Sequence, residues 1–141
     1  MISSAPVLES LARVVSDGKI DLAGVVDATQ IAEVLQQWHE NETASGIPSA
    51  KAPLLREALT RAPFSGKVTT PYAPGSVHDY MHAKVTVADD TVFVGSFNLS
   101  HSGEMNAENV LEIADAGIAE QCAAFIDSVR GRYPAVLLPS F

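Results

Sequence analysis

Ionisable and amide side chains are concentrated between residues 78 and 112, in segments that otherwise have the apolar alternation of strands. His82 and Lys84 are two residues apart, so on a strand their side chains share a face. An imidazole and an ammonium about 7 Å apart along a strand suit an anion held between them. Taken alone, this pair favours the simpler interpretation of two polar residues on a solvated face.

The residues that follow favour a reactive site. Gly95 removes a side chain where backbone or ligand must come close, and Ser96 and Asn98 supply a hydroxyl and an amide suited to phosphoryl oxygens. Glu108, with Asn109 after it, opens another apolar segment. A carboxylate there would accept the Nδ1 proton of a histidine and leave Nε2 as a nucleophile. These residue types together predict a metal-free phosphoryl-transfer site.

The string HAKVTVADD…GSFNLSHSGEMNAEN resembles the HKD motif of the phospholipase D superfamily. That motif is H-x-K-x4-D, followed by G-S-x-N and a downstream Glu/Asn pair. The resemblance is close over residues 78–113 and looser over the preceding part of the chain. It implies that His82 attacks phosphorus to form a phosphohistidine, that Lys84 and Asn98 bind the phosphoryl oxygens, and that Glu108 orients His82.

The resemblance also assigns supporting roles. Ser96 would donate a hydrogen bond either to the phosphate or to the loop that shapes the site. Asp89 belongs to the motif, but its place at a turn five residues after Lys84 predicts a structural role. No metal and no other cofactor is required.

Enzymes of this superfamily need two such motifs, and this sequence has one. Two arrangements satisfy the chemistry: two copies that meet about a two-fold axis, or one half, most simply the C-terminal half, of a longer two-motif enzyme. A core strand precedes the first helix in the superfamily, and only residues 1–4 are available for it here, which favours the second arrangement. A third possibility is a catalytically incomplete half-domain that serves assembly or phosphate binding.

The charge balance bears on the substrate. The chain has 9 Lys and Arg against 17 Asp and Glu, for a net charge of −8. Tight binding of long nucleic acid depends on many basic side chains, so nucleic acid is the less favoured partner. A phospholipid or another small phosphodiester is preferred, with hydrolysis or phosphatidyl transfer, as in cardiolipin synthases, as the reaction. A homodimeric endonuclease is the alternative.

The periodicity of the chain predicts how these residues are positioned. With 141 residues we expect one domain, 1–141, of the α/β class with a mixed β-sheet flanked by helices. Apolar spacing predicts four helices, around residues 7–15, 31–38, 54–59 and 118–129. Strands are predicted over residues 20–26, 68–70, 81–88, 91–95 and 110–114, with loops over 41–48 and 99–107. In the strand over 81–88, alternate residues Ala83, Val85 and Val87 are expected to face the core.

Several other residues have a structural alternative to a functional role. His78 and His82 form an HxxxH pair, but the segment is predicted to be extended, which argues against a metal site. His101 and Glu104 could line a substrate entrance, although a solvated loop is the simpler interpretation. Trp38 is assigned to the core, His39 to the surface, and Cys122 to a buried, inert position on the last helix.

The sequence also bounds the location of the protein. No apolar run reaches the roughly 18 residues of a membrane span. Residues 1–6 lack the basic start of a signal peptide. We therefore expect a cytoplasmic protein or one that is peripheral at a membrane.

Overall fold

The computed structural model describes residues 2–141; Met1, the first residue of the predicted domain, lies outside the described residues. The α/β class is confirmed. The helices are α1 (Ala5–Asp17), α2 (Ala28–Ser45), α3 (Lys51–Arg61), α4 (His101–Met105) and α5 (Ala116–Arg130). The strands are β1 (Gly24–Asp27), β2 (Phe64–Lys67), β3 (Val85–Ala88), β4 (Thr91–Gly95) and β5 (Val110–Ala114). None of the helices in residues 2–141 has the length and apolar character that crossing a bilayer would require.

The strands form two sheets where one mixed sheet was predicted. β1 and β2 pair in parallel, with Asp27 opposite Lys67 at their carboxyl ends. β3, β4 and β5 form an antiparallel sheet in that order, with Gly95 opposite Val110. Helix α5 contacts strands of both sheets and so connects them.

The main core lies between the helices and the parallel pair. Leu8, Leu35 and Leu55 are almost completely buried there, and α1 packs against α3. Burying a leucine side chain stabilises a fold by about 1.5–3 kcal/mol, so these contacts hold β1 and β2 in place. Trp38 belongs to this core, which confirms its assignment. His39 is half-buried instead of exposed, because its ring stacks on Phe141 with centroids 4.8 Å apart.

Several element boundaries differ from the prediction. The strand predicted over 20–26 begins only at Gly24, and Ile20 is exposed. No strand forms over 68–70, where Val68 is exposed. The strand in this part of the chain is β2, which ends at Lys67 and has all four of its residues buried. Helix α2 extends through residues 41–45, which were predicted as loop, and ends at Gly46, whose φ of 68° is a left-handed cap. Residues 101–105 of the other predicted loop form the short helix α4.

The helix predicted around residues 118–129 forms as α5, but Cys122 on it is not fully buried as predicted. Asp115 caps α5 by accepting a hydrogen bond from Ile118 N at 2.9 Å. Ala119 is buried, whereas Phe125 is 64% exposed and Cys122 is half-buried. These larger side chains lie in a groove beside Val85, on the edge strand β3, where the narrow sheet offers nothing further to cover them.

Candidate active site

His82 and Lys84 lie immediately before β3 and not within it. The strand starts at Val85, and Lys84 is held to the end of β4 by a hydrogen bond from Gly95 N to Lys84 O at 3.3 Å. The expectation that Ala83 and Val85 face the core is wrong. Both are exposed, because β3 is an edge strand. Val87 is half-buried.

The predicted site residues converge on one open cleft of about 540 Å³. It combines an imidazole, an ammonium, a hydroxyl, a carboxylate and two amides. Its lining is His82, Lys84, Gly95, Ser96, Asn98, Glu108 and Asn109. Asp89 is the one residue of the predicted set outside this lining. It occupies the turn between β3 and β4 with φ of 50°, a conformation that aspartate tolerates better than most residues.

The floor of the cleft is formed by backbone at the end of β4. A Cβ built on Gly95 would stand 2.1 Å from Asn109 O, so no larger residue fits without movement of a strand. The next residue continues this contact, with Ser96 N donating to Asn109 O at 3.0 Å. Glycine at position 95 therefore permits the close approach of the two chain segments that carry the polar groups.

A hydrogen-bond network fixes the hydroxyl and carboxylate side of the cleft. Ser96 Oγ donates a short hydrogen bond to Glu108 and accepts one from Asn109 N at 3.1 Å. Asn106 Nδ2 donates to the other oxygen of Glu108 at 3.4 Å. The Ser96 hydroxyl is thus engaged with Glu108, and which of its two predicted roles it has stays a prediction.

The ammonium of Lys84 provides the positive charge of the cleft. Nζ donates to His82 O at 2.7 Å, which uses one of its three protons. Partial burial lowers the pKa of Lys84 below its usual value of 10.5, and the nearby Glu108 carboxylate acts in the opposite direction. Lys84 is the only Lys or Arg among the described residues that line the cleft.

The His82 ring is exposed and lies edge to face with Tyr80, with centroids 5.3 Å apart. Across residues 2–141, no hydrogen bond or ion pair joins this ring to Glu108, whose recorded partners are Ser96 and Asn106. The predicted orientation of His82 by Glu108 stays a prediction. Both residues line the same cleft, and catalytic hydrogen bonds commonly tighten only when substrate is bound.

The other histidines have separate environments. His78 Nδ1 lies 2.8 Å from Thr70 O, so the tautomer with its proton on Nδ1 donates a hydrogen bond to the loop backbone. His101 Nδ1 lies 3.7 Å from Glu104 Oε2 on α4, and the His101 side chain is 77% exposed. Glu104 also accepts a short hydrogen bond from Ser4. Neither His101 nor Glu104 lines the cleft.

Two contacting residues were missed by sequence reasoning, Tyr80 and Asn106. Each lies two residues before a predicted site residue, His82 and Glu108 respectively. In extended chain, residues two apart share a face, so this spacing was the available signal.

Comparisons with known proteins bear on the family and the fold of the chain. The family model described as "Cardiolipin synthase, PLD-like domain" matches residues 3–130. Among solved structures, the chain resembles a phospholipase D family member, Nuc from Salmonella typhimurium, with a TM-score of 0.62 and 17% sequence identity. The match covers 94% of this chain and 74% of that chain. No curated protein sequence shows a significant match.

Proposed function

The chain belongs to the phospholipase D superfamily, and from that premise we propose that it is a phosphodiesterase or phosphatidyl transferase with His82 as its nucleophile. The observation that carries the proposal is the cleft itself. Residues from two stretches of the sequence, 82–98 and 108–109, meet there around one open space. That space combines a nucleophile, a cation and neutral donors, the groups that phosphoryl transfer requires.

In the first step, His82 Nε2 attacks the phosphorus of the substrate. The bond from phosphorus to the leaving oxygen breaks, and a phosphohistidine forms. The Lys84 ammonium and the Asn98 amide stabilise the negative charge on the non-bridging oxygens in the transition state. In the second step, the oxygen of water or of an alcohol attacks the same phosphorus and loses its proton to the second group that protonated the leaving oxygen. The bond from phosphorus to Nε2 breaks, which frees His82 and yields hydrolysis or transfer respectively.

Glu108 has a supporting role in this mechanism. When substrate is bound, its carboxylate accepts the Nδ1 proton of His82, which fixes the tautomer that leaves Nε2 available. Ser96 and Asn106 hold the carboxylate at the cleft beforehand. No step of the scheme needs a metal, since Lys84 supplies positive charge.

The leaving oxygen needs a proton donor on the side of phosphorus opposite to His82, because displacement is in line. His82 is the only histidine among the described residues that line the cleft. We therefore propose that a second motif completes the site, supplied by another copy of this chain or by another half-domain. Two-fold association is the commonest form of homo-oligomer.

A phospholipid headgroup is the proposed substrate. The net charge of −8 and the single basic residue in the cleft offer little for a polyanion to bind. An open cleft of about 540 Å³ admits a single phosphodiester with its substituents in solvent or in a lipid surface. An oligonucleotide that turned over faster than lipid would overturn this choice while leaving the chemistry intact.

The test compares His82→Ala with His101→Ala. Both changes remove an exposed imidazole, but only His82 lines the cleft. Hydrolysis of bis(p-nitrophenyl) phosphate and of phosphatidylglycerol in mixed micelles should fall by about 10³-fold or more in His82→Ala and stay unchanged in His101→Ala. Acid-labile phosphate should be trapped on the wild-type chain by rapid quench. In an assembled enzyme whose wild-type form is active, equal activity of the two variants would refute the assignment.

A further inference from the structure

Two buried charged side chains lie outside the cleft, at the carboxyl ends of β1 and β2. Asp27 is 7% exposed and Lys67 is 6% exposed, and the two residues are partners in the register of the parallel pair. Removing an ionised side chain from water costs several kcal/mol unless hydrogen bonds and opposite charge compensate for it. The partners of these two groups therefore show what they hold in place.

Lys67 binds the chain segment that precedes the nucleophile. Its Nζ lies 3.1 Å from Asp79 Oδ2, and it donates to Asp79 O at 3.0 Å and to Val68 O at 3.3 Å. An ammonium has three protons, and these three acceptors match them. Two of the three acceptors belong to Asp79, so most of the compensation for burying Lys67 comes from a residue three positions before His82.

Asp27 binds the same segment at Met81, two residues nearer to His82 than Asp79. Its Oδ2 accepts from Met81 N at 3.3 Å and from Thr69 Oγ1 at 2.8 Å, while Oδ1 caps α2 by accepting from Gln30 N at 3.0 Å. Met81 is the residue directly before His82. One carboxylate thus joins the start of α2, the loop after β2 and the backbone next to the nucleophile.

The segment held in this way has little structure of its own. Between Lys67 and Val85 the described chain contains no helix and no strand, apart from an isolated bridge of Thr70 with Asp79. Irregular backbone with few internal hydrogen bonds opens at low free-energy cost unless it is tied to something rigid. The rigid element here is the β1–β2 pair, which contributes Val26 and Phe64 to the main core.

We infer that Lys67 and Asp27 are positioning residues, which fix the backbone of residues 79–81 and thereby place the His82 ring in the cleft. The role of these residues in catalysis rests on the proposed function. The anchoring of residues 79–81 rests on the hydrogen bonds alone, and it can be measured without any substrate.

The test uses Lys67→Met, which keeps an unbranched side chain and removes the ammonium. Amide hydrogen exchange should quicken by at least about tenfold at Thr70 and Met81 and stay within about twofold in β4, because only the anchored segment opens. The matched control is Arg61→Met, which removes the surface ion pair with Glu57 (3.5 Å) and should change neither region. Equal acceleration throughout the chain, or none at Met81, would overturn the inference.

Asp79→Asn provides a second variant in case Lys67→Met does not fold. This variant removes the ion pair at a side chain that is 57% exposed and retains the Asp79 carbonyl. Amide exchange at Thr70 and Met81 should therefore quicken, but by a smaller factor than in Lys67→Met. If neither variant changes exchange at Thr70 and Met81 more than elsewhere, the inference fails.

Activity supplies the readout for His82. In a folded variant, kcat should fall by about 10- to 100-fold with KM within about twofold, since a displaced nucleophile slows the chemical step more than binding. The imidazole ¹⁵N shifts of His82 should change while those of His101 do not. If the wild-type chain, assembled with its second motif, turns over no phosphodiester, the proposed function fails, and the exchange measurement still decides whether the segment is anchored.

Discussion

Replacing Gly95 by alanine tests whether the floor of the cleft depends on the close approach of two backbone segments. The new Cβ would stand 2.1 Å from Asn109 O and 3.0 Å from Val110 Cα. Real Cβ atoms essentially never approach another atom within 3.0 Å, so a strand must shift by roughly 0.9 Å (3.0 − 2.1). Because both neighbouring atoms belong to the backbone, no change of rotamer relieves the contact.

Two effects of different size follow from this shift. Overpacking of this kind costs about 1–3 kcal/mol, and for a chain of 141 residues each kcal/mol lowers Tm by about 3–4 °C, so we expect a fall of roughly 3–12 °C. The displaced backbone also carries Ser96 and Asn109. A misplacement of about 1 Å can cost about 10²-fold in rate, so kcat should fall by about that factor.

Thermal unfolding by circular dichroism and hydrolysis of bis(p-nitrophenyl) phosphate measure the two effects. Gly131→Ala is the matched control, because Gly131 has a helical φ of −67° and the nearest atom to its Cβ, Asp127 O, lies 3.5 Å away. The control should keep the wild-type kcat and a Tm within about 2 °C. A Gly95→Ala chain with wild-type kcat would refute the argument, whatever its Tm.

Three further predictions concern charge, metal and assembly. Because burial lowers the pKa of Lys84, the rate should decline at alkaline pH, at a value below 10.5, as the ammonium loses its proton. The variant Lys84→Arg should move that decline to higher pH, because a guanidinium stays protonated. If the decline does not move, a group other than Lys84 causes it. EDTA should leave the rate of the complete enzyme unchanged, because Lys84 supplies the positive charge; loss of activity that a divalent cation restores would contradict the mechanism. If two copies form the site, an excess of His82→Ala chain should strongly reduce turnover per wild-type subunit, whereas full turnover with subunit exchange shown by native mass spectrometry would place the site on one chain.

The residues that line the cleft were easier to predict than the strand boundaries, because their spacing is a local signal. The spacing of His82 to Lys84 and of Ser96 to Asn98 is set by chemistry, and both pairs do line the cleft. The strand itself was misplaced: His82 lies on irregular backbone, which the alternation of residues 81–88 does not distinguish from a paired strand. Pairing depends on β4, a separate segment, and no pattern within residues 81–84 encodes it.

The burial of single residues was harder to predict because it depends on distant neighbours. Phe125 has the helical spacing of a core residue, yet it is 64% exposed because the sheet beneath α5 is narrow. Lys67 has the sequence appearance of a surface lysine, yet it is 6% exposed because Asp79, twelve residues later, supplies its acceptors. The burial of either side chain can be predicted only when the residues that pack against it in the folded chain are known.

The two sides of the cleft are supported in different ways, which bears on how the site can act. Ser96 directly follows β4 and Asn109 directly precedes β5, and the hydrogen bonds between these two residues continue the backbone ladder of the two strands. His82 stands on a segment that is tied to the other sheet through Asp27 and its neighbours. In the proposed mechanism, the nucleophile His82 and the cation Lys84 both precede β3, whereas the Glu108 carboxylate that would orient His82 is held beside the β4–β5 ladder by Ser96. The relative placement of these groups therefore depends on the contacts that tie residues 79–81 to the parallel pair as well as on the antiparallel sheet, and an error in either support would misplace the nucleophile.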